Sequence, residues 1–128
     1  MHRSRLCAFV IDCKTDDINV ATTFWSKALG RPVVPHTPEV DNYRELSAGD
    51  DEPMLLLQKV DHPGRIHLDI ETDDIEAEVK RLEALGAKRV EFVKRWWVME
   101  APTGQRFCVV RPQRGPLESR ANEWSGEE

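Results

Sequence analysis

The chain switches between two rhythms of apolar residues, and it does so twice. Phe9-Val10-Ile11 reads as an apolar strand that runs into Thr15-Asp16-Asp17-Ile18. From there Ile18, Ala21, Phe24, Trp25, Ala28 and Leu29 fall at helical spacing. The same text returns further on. Ile66-His67-Leu68-Asp69-Ile70-Glu71 runs into Thr72-Asp73-Asp74-Ile75, and Ile75, Val79, Leu82 and Leu85 repeat the helical period. Ala28-Leu29-Gly30 and Ala84-Leu85-Gly86 close the two helices, so matching text occurs in matching order and implies a duplication. The local chemistry supports it. Thr-Asp-Asp starts a helix because a short polar side chain accepts from an unpaired amide and carboxylates favour the positive end of the dipole. Asp73 and Glu76 fit a capping box, and Gly30 and Gly86 are the expected stops.

After each helix the sequence reads as strands. The first half places them near 32–36, 42–48 and 53–59, separated by Thr37-Pro38, Gly49-Asp50-Asp51 and His62-Pro63-Gly64; the second places them near 88–93, 96–100 and 105–111, with Pro102-Thr103-Gly104 turning the last hairpin. Each half is therefore β-α-β-β-β, module one at 5–60 and module two at 65–111, within one domain of residues 1–112. Residues 113–128 read as a C-terminal tail anchored by Leu117 or Trp124. The fold class expected is α+β, two paired β-α-β-β-β modules forming a curved sheet around a cleft. A ferredoxin-like sandwich is the runner-up, but three strands after each helix argue against it.

Side chains alternate along a strand. Ile66, Leu68 and Ile70 form the face expected to meet the helix, while His67, Asp69 and Glu71 point away from it. By the repeat, Val10 takes the place of His67 and Asp12 that of Asp69. In the last strand Phe107 and Val109 go to the helix side, and Cys108 joins His67 and Asp69.

Composition narrows the classes. At 128 residues the chain is one domain that can bury a core without disulfides, and 40% hydrophobic with 32% charged residues excludes a disordered or fibrous chain. No apolar run approaches the roughly 20 residues of a membrane span, and no signal peptide is read at the start. A net charge of -5 speaks against nucleic-acid binding; Arg89, Lys94, Arg95, Arg106, Arg111 and Arg114 read as solvated strand faces and loop ends. Cys7, Cys13 and Cys108, an odd number without Cys-x-x-Cys, read as reduced thiols in the cytoplasm. His36 and His62 sit beside turns. No phosphate loop, Ser-His-Asp arrangement or zinc-knuckle spacing occurs.

Phe24-Trp25 with Ala28-Leu29-Gly30, His67-Leu68-Asp69-Ile70 with Asp73-Asp74-Ile75, Ala84-Leu85-Gly86-Ala87, and the closing run from Trp97 to Val110 resemble the vicinal oxygen chelate superfamily of glyoxalase, bleomycin-resistance and dioxygenase proteins. The resemblance covers about residues 5–112 and is to the glyoxalase-like subgroup more than to glyoxalase I. It implies paired modules around a cleft and a homodimer. It also implies four metal-binding positions, two on first strands and two on last strands. Carried over, these fall on Val10, His67, Cys108 and a residue within Leu55-Leu56-Leu57-Gln58, either Leu56 or Gln58. Valine binds no metal, so no metal ligand and no cofactor is expected, although a divalent ion stays possible.

The candidate site is then His67 as proton-handling residue, with Asp69, Gln58, Trp97, Cys108 and Val10 lining a pocket for a small, partly apolar or aromatic molecule. The plainer reading of His67 is a sheet histidine paired with Asp69 or Asp12; that of Cys108 is a buried inert thiol, with Arg106 the nearest activating charge. Trp96 and Trp97 are adjacent, so one faces the helices and one the cleft; Trp97 is assigned to the cleft. Three functions follow. The first is a metal-free binding protein for sequestration or proton transfer. The second is a metal-dependent lyase, isomerase or dioxygenase. The third is a non-catalytic interaction module whose cleft is closed by a partner or by the tail.

Overall fold

The computed structural model describes residues 1–35, 42–117 and 120–125. In chain order it has β1 (His2–Lys14), α1 (Ile18–Leu29), β2 (Tyr43–Leu46), β3 (Met54–Val60), β4 (Arg65–Thr72), α2 (Ile75–Ala84), β5 (Lys88–Val93), β6 (Trp96–Glu100), β7 (Arg106–Val110) and β8 (Asn122–Trp124). This is an α+β fold, with helix following strand at both repeats. The chain forms two compact units. One, the α1 unit, is Ala8–His67; the other, the α2 unit, joins Met1–Cys7 to the described residues from Leu68 onward. β1 and β4 thus each give one part of their length to either unit.

In the α1 unit β3 lies between β1 and β2. It runs parallel to β1, with Val10 opposite Leu56 and Asp12 opposite Gln58, and antiparallel to β2, with Tyr43 opposite Gln58. Asp17 caps α1 by accepting from the Asn19 amide, and Gly30 ends it at φ 67, the left-handed geometry glycine reaches without strain. The buried stripe of α1 is narrower than the apolar spacing suggests. Ile18 and Thr22 are buried, whereas Phe24, Ala28 and Leu29 are exposed. Thr22 fits because its hydroxyl donates to the Ile18 carbonyl at 2.7 Å, which leaves only its methyl for the interior. The strand expected at 32–36 is reduced to a bridge between Val33 and Leu46. Pro32 and Pro35 lack the amides a ladder needs. His36 and the Thr37-Pro38 turn lie outside the described residues.

In the α2 unit the order is β1, β4, β7, β6, β5, with β8 added antiparallel to the start of β1. Val79 and Leu82 of α2 meet Met99 and Val109, and Ile70, Ile75, Ala87, Trp97 and Phe107 pack around them. Phe107 and Val109 are therefore on the helix side, as their alternation implied. The apolar face of β4 is only partly covered, however. Ile70 joins the core, but Leu68 is 41% exposed, because α2 is short and packs over β5, β6 and β7; Ile66, in the α1 unit, is 64% exposed. The capping box of Asp73 and Glu76 does not form. Asp74 is the cap, accepting from the Ala77 amide, while Asp73 accepts from the Arg3 amide and Glu76 pairs with Arg89. The C-terminal segment uses both candidate anchors: Leu117 is buried, Trp124 donates to Ser4 and stacks on Arg81 at 3.8 Å, and β8 pairs with β1.

Two buried carboxylates hold this unit's outer parts to its sheet. Glu78 on α2 accepts from Arg81 at 2.7 and 2.9 Å and sits 2.7 Å from His2 Nε2, tying the helix to β1. Glu71 on β4 accepts from Arg5 at 2.7 Å and from the amides of Gln113 and Arg114 at 2.6 and 3.2 Å. Both side chains are fully buried, and a buried charge without donors costs several kcal/mol.

Burial alone would raise the Glu78 carboxyl pKa, but hydrogen bonds from Arg81, His2 and Ser4 outweigh it and hold the group below the ordinary glutamate value. Its ionised form therefore contributes stability above the unfolded-state pKa, and that contribution is lost as pH falls through the lower folded value. Thermal melts of wild type and Glu78→Gln between pH 3 and pH 7 should show the variant about 3 kcal/mol less stable near neutrality. The gap should narrow on acidification. A gap independent of pH would mean the ionised carboxylate is not what stabilises this contact.

Candidate functional site

The α1 unit gathers the most distinctive polar group. Asp12 sits near the end of β1 with its side chain 2% exposed; Oδ2 lies 3.0 Å from His67 Nδ1 and accepts a longer 3.4 Å contact from Arg65 Nε. Its other oxygen, Oδ1, is buried and has no hydrogen-bond partner among the described residues. Gly64, just ahead of β4, lets the chain pass close over this point: an added Cβ would lie 3.2 Å from the Asp12 carbonyl oxygen. The β1–β3 register puts Gln58 beside Asp12, and the Gln58 amide nitrogen donates to the Tyr43 hydroxyl at 2.9 Å. Val10 shares the Asp12 face and is buried. It offers only an apolar wall.

A carboxylate on Nδ1 has a definite chemical effect. In the neutral ring it holds the proton on Nδ1, so the lone pair resides on Nε2; if Nε2 takes a proton, the imidazolium is stabilised by the adjacent charge. Of the two pairings open to His67, the structure forms the one with Asp12. Arg65 and Tyr43 join the residues the sequence pointed to. Arg65 lies two residues before His67, so strand alternation could have found it, whereas Tyr43 enters only through the β2–β3 register.

In the α2 unit Asp69 and Cys108 are directly opposite on the parallel strands β4 and β7. This register resolves the choice between Leu56 and Gln58. Asp12 corresponds to Asp69 in the repeat, Asp69 faces Cys108 and Asp12 faces Gln58, so Gln58 is the equivalent of Cys108. Cys7, on β1, is pushed up to about 12 by burial, reinforced by the charges of Glu71 and Asp69. Burial and then the neighbouring Asp12 also raise Cys13. Neither thiol has the thiolate character of a nucleophile.

Trp97 is not on the face assigned to it. It pairs across the sheet with Val109, packs on the α2 core, meets Phe92 edge-on at 5.3 Å and lies under Arg89 at 5.0 Å. Strand alternation then turns Val98, opposite Cys108, to the other face. The β6 register is set by Met99, fully buried on the α2 side, and this carries Trp97 with it.

A divalent metal, which the resemblance implies, can be tested against the donors. Within the α2 unit Asp69 and Cys108 offer a carboxylate and a thiolate, and His67, which ends the α1 unit, offers an imidazole. Each is a donor type that zinc accepts. The set shares only two members with the four carried-over positions: Val10 has no donor atom and Gln58 is engaged with Tyr43.

The glyoxalase-like domain family model matches residues 8–110. Among solved structures, methylmalonyl-CoA epimerase from Mycobacterium tuberculosis is similar with a TM-score of 0.58 at 19% identity, over 84% of this chain and 87% of that one. A glyoxalase/bleomycin resistance protein/dioxygenase superfamily member from Vibrio splendidus 12B01 is similar with a TM-score of 0.52 at 20% identity, over 83% and 98%. At these identities the likeness is one of fold. A search of curated proteins found no match. Among the described residues no helix is long and apolar enough to cross a membrane.

The placement of Trp97 yields a direct expectation. Trp97→Ala should destabilise the protein by roughly 3 kcal/mol, the scale of a large aromatic removed from a core. Urea unfolding followed by circular dichroism would measure it. A loss under 1 kcal/mol would mean Trp97 does not support the α2 core.

Proposed function

Because the chain belongs to the glyoxalase-like domain family, we propose that it binds a small, partly apolar or aromatic molecule and handles a proton on it through His67, without a metal. The observation that carries this reading is the His67–Asp12 contact at 3.0 Å, made by a carboxylate that is 2% exposed. Asp12 orients the imidazole and fixes its tautomer. Nε2 then takes a proton from an acidic C–H or O–H of the ligand, and the imidazolium so formed is stabilised by Asp12 before the proton returns. A ligand with no acidic proton would be held by the same ring as a hydrogen-bond acceptor, which is sequestration. Gln58 and Tyr43 supply amide and hydroxyl groups beside Asp12, and Val10 supplies apolar surface. The epimerase named above carries a proton-transfer name on a similar fold, and that fits this reading. We place the protein in the cytoplasm as a homodimer: none of its three cysteines is in a disulfide, and α1 presents Val20 and Phe24 outward.

The pairing of Asp69 with Cys108 across β4 and β7 favours a second reading, a metal-dependent lyase, isomerase or dioxygenase. A bound divalent ion would supply Lewis-acid activation of a ligand oxygen.

Metal content and ligand binding separate the two. Protein purified without chelator should carry metal well below one equivalent. A panel of small aromatic compounds, screened by tryptophan fluorescence, should yield binders that His67→Ala weakens at least tenfold and Asp12→Asn less. Near-stoichiometric metal that disappears in His67→Ala would overturn the metal-free reading. Binding unchanged by both substitutions in folded protein would remove His67 from the site.

A further inference from the structure

The C-terminal segment is held in a way the proposed site does not explain. On the α2 unit, alternation and hydrogen bonding put Arg5 and Glu71 on the sheet face opposite α2: His2 and Ser4 bond on the α2 side, so Arg3 and Arg5 point the other way. Val109 packs on the α2 core, so its neighbours Cys108 and Val110 also face away from it. An open face would leave these residues wet. Instead Cys7, Glu71 and Val110 are all at or under 9% exposed.

Gln113 and Arg114 lie over Glu71 at this end of the face. The amides of Gln113 and Arg114 both donate to Glu71 Oε1, and Arg5 reaches the Arg114 carbonyl at 3.5 Å while bonding Glu71 Oε2 at 2.7 Å. Leu117 supplies a buried apolar anchor at 6% exposure. The rest of the segment is on the surface: Pro112, Gln113, Gly115 and Pro116 are exposed. Among the described contacts, the segment is held by the Glu71 carboxylate, by Arg5 on the Arg114 carbonyl and by the burial of Leu117. A segment with few apolar contacts and an exposed outer side opens at a lower free energy than the core beneath it.

We propose that residues 112–117 form a strap, latched by Glu71, that opens locally and uncovers the Cys7 and Val110 side of the α2-unit sheet while the fold stays intact. The chain's own segment occupies the face that β-α-β-β-β connectivity leaves without a helix, and it must leave for anything else to bind there. Cys7 reports the state of the strap. It lies within reach of the charges of Glu71, Asp69, Arg114 and Arg5, and while covered it stays protonated and slow to react.

The test is the rate at which N-ethylmaleimide labels Cys7 of the full chain, resolved from Cys13 and Cys108 by peptide mass spectrometry, as a function of urea below the unfolding transition. Local opening exposes little surface, so the Cys7 rate should be nearly flat in urea until global unfolding takes over. Glu71→Gln and Leu117→Ser should each raise the flat rate at least tenfold, with the plateau preserved. A Cys7 rate that climbs with the full urea dependence of global unfolding from the lowest concentrations would overturn the proposal. So would variants whose faster labelling is matched wholly by lost global stability. A wild-type rate that follows global unfolding throughout overturns the proposal even if neither variant folds.

Discussion

A carboxylate removed from water must be met by donors, and three such groups organise this protein. Glu78 draws His2 and Arg81 to one point and fastens α2 to the first strand. Glu71 draws Arg5 and two backbone amides and fastens the C-terminal segment to β4. Asp12 draws His67 and Arg65 and creates the arrangement on which the proposed function rests. The net value of such contacts is small compared with apolar burial, but breaking one leaves a charge stranded, so they fix geometry more firmly than they add stability.

The three differ in completeness. Glu71 and Glu78 each have both oxygens engaged, which is how a structural acid behaves. Asp12 leaves Oδ1 buried and unmet among the described residues. Native proteins tolerate such an omission mainly where a ligand, a water or a reaction step completes it. That contrast separates Asp12 from Glu71 and Glu78.

Much of the fold was legible in the residues. Thr-Asp-Asp before each helix and Gly30 after the first marked their ends to within a residue, and β5 and β6 fell on the spans their alternation gave. These signals are local, so a linear reading captures them. Most failures turned on packing that a linear reading does not decide. Trp97 was turned the wrong way because Met99, two residues on, and Val109 across the sheet pack on the α2 core and take Trp97 with them. The strand at 32–36 failed for a local reason, since two prolines break the ladder to β2. The capping box at Asp73 lost to Arg3, which claims that carboxylate from β1. Trp124 was legible as an anchor of the tail, but nothing local reveals that it finds Ser4 and Arg81. For the site, the repeat placed His67 and Asp69 on one strand face, but the Asp12 pairing needed the structure.

The division of β1 between the two units bears on how the chain is made. The α1 unit is continuous from Ala8 to His67, so it can close as soon as those residues have left the ribosome. The α2 unit cannot. It needs residues 2–7 as a strand, together with β4, β7 and β8, which are synthesised much later. Until then the hydrogen-bonding edge of those early residues has no permanent mate, and the loop to be closed spans most of the chain. Arg3 and Arg5 put positive charge on this waiting edge, a common guard against pairing with the wrong strand. The arginines that later meet Glu123 and Glu71 would thus first keep the nascent segment apart from its neighbours.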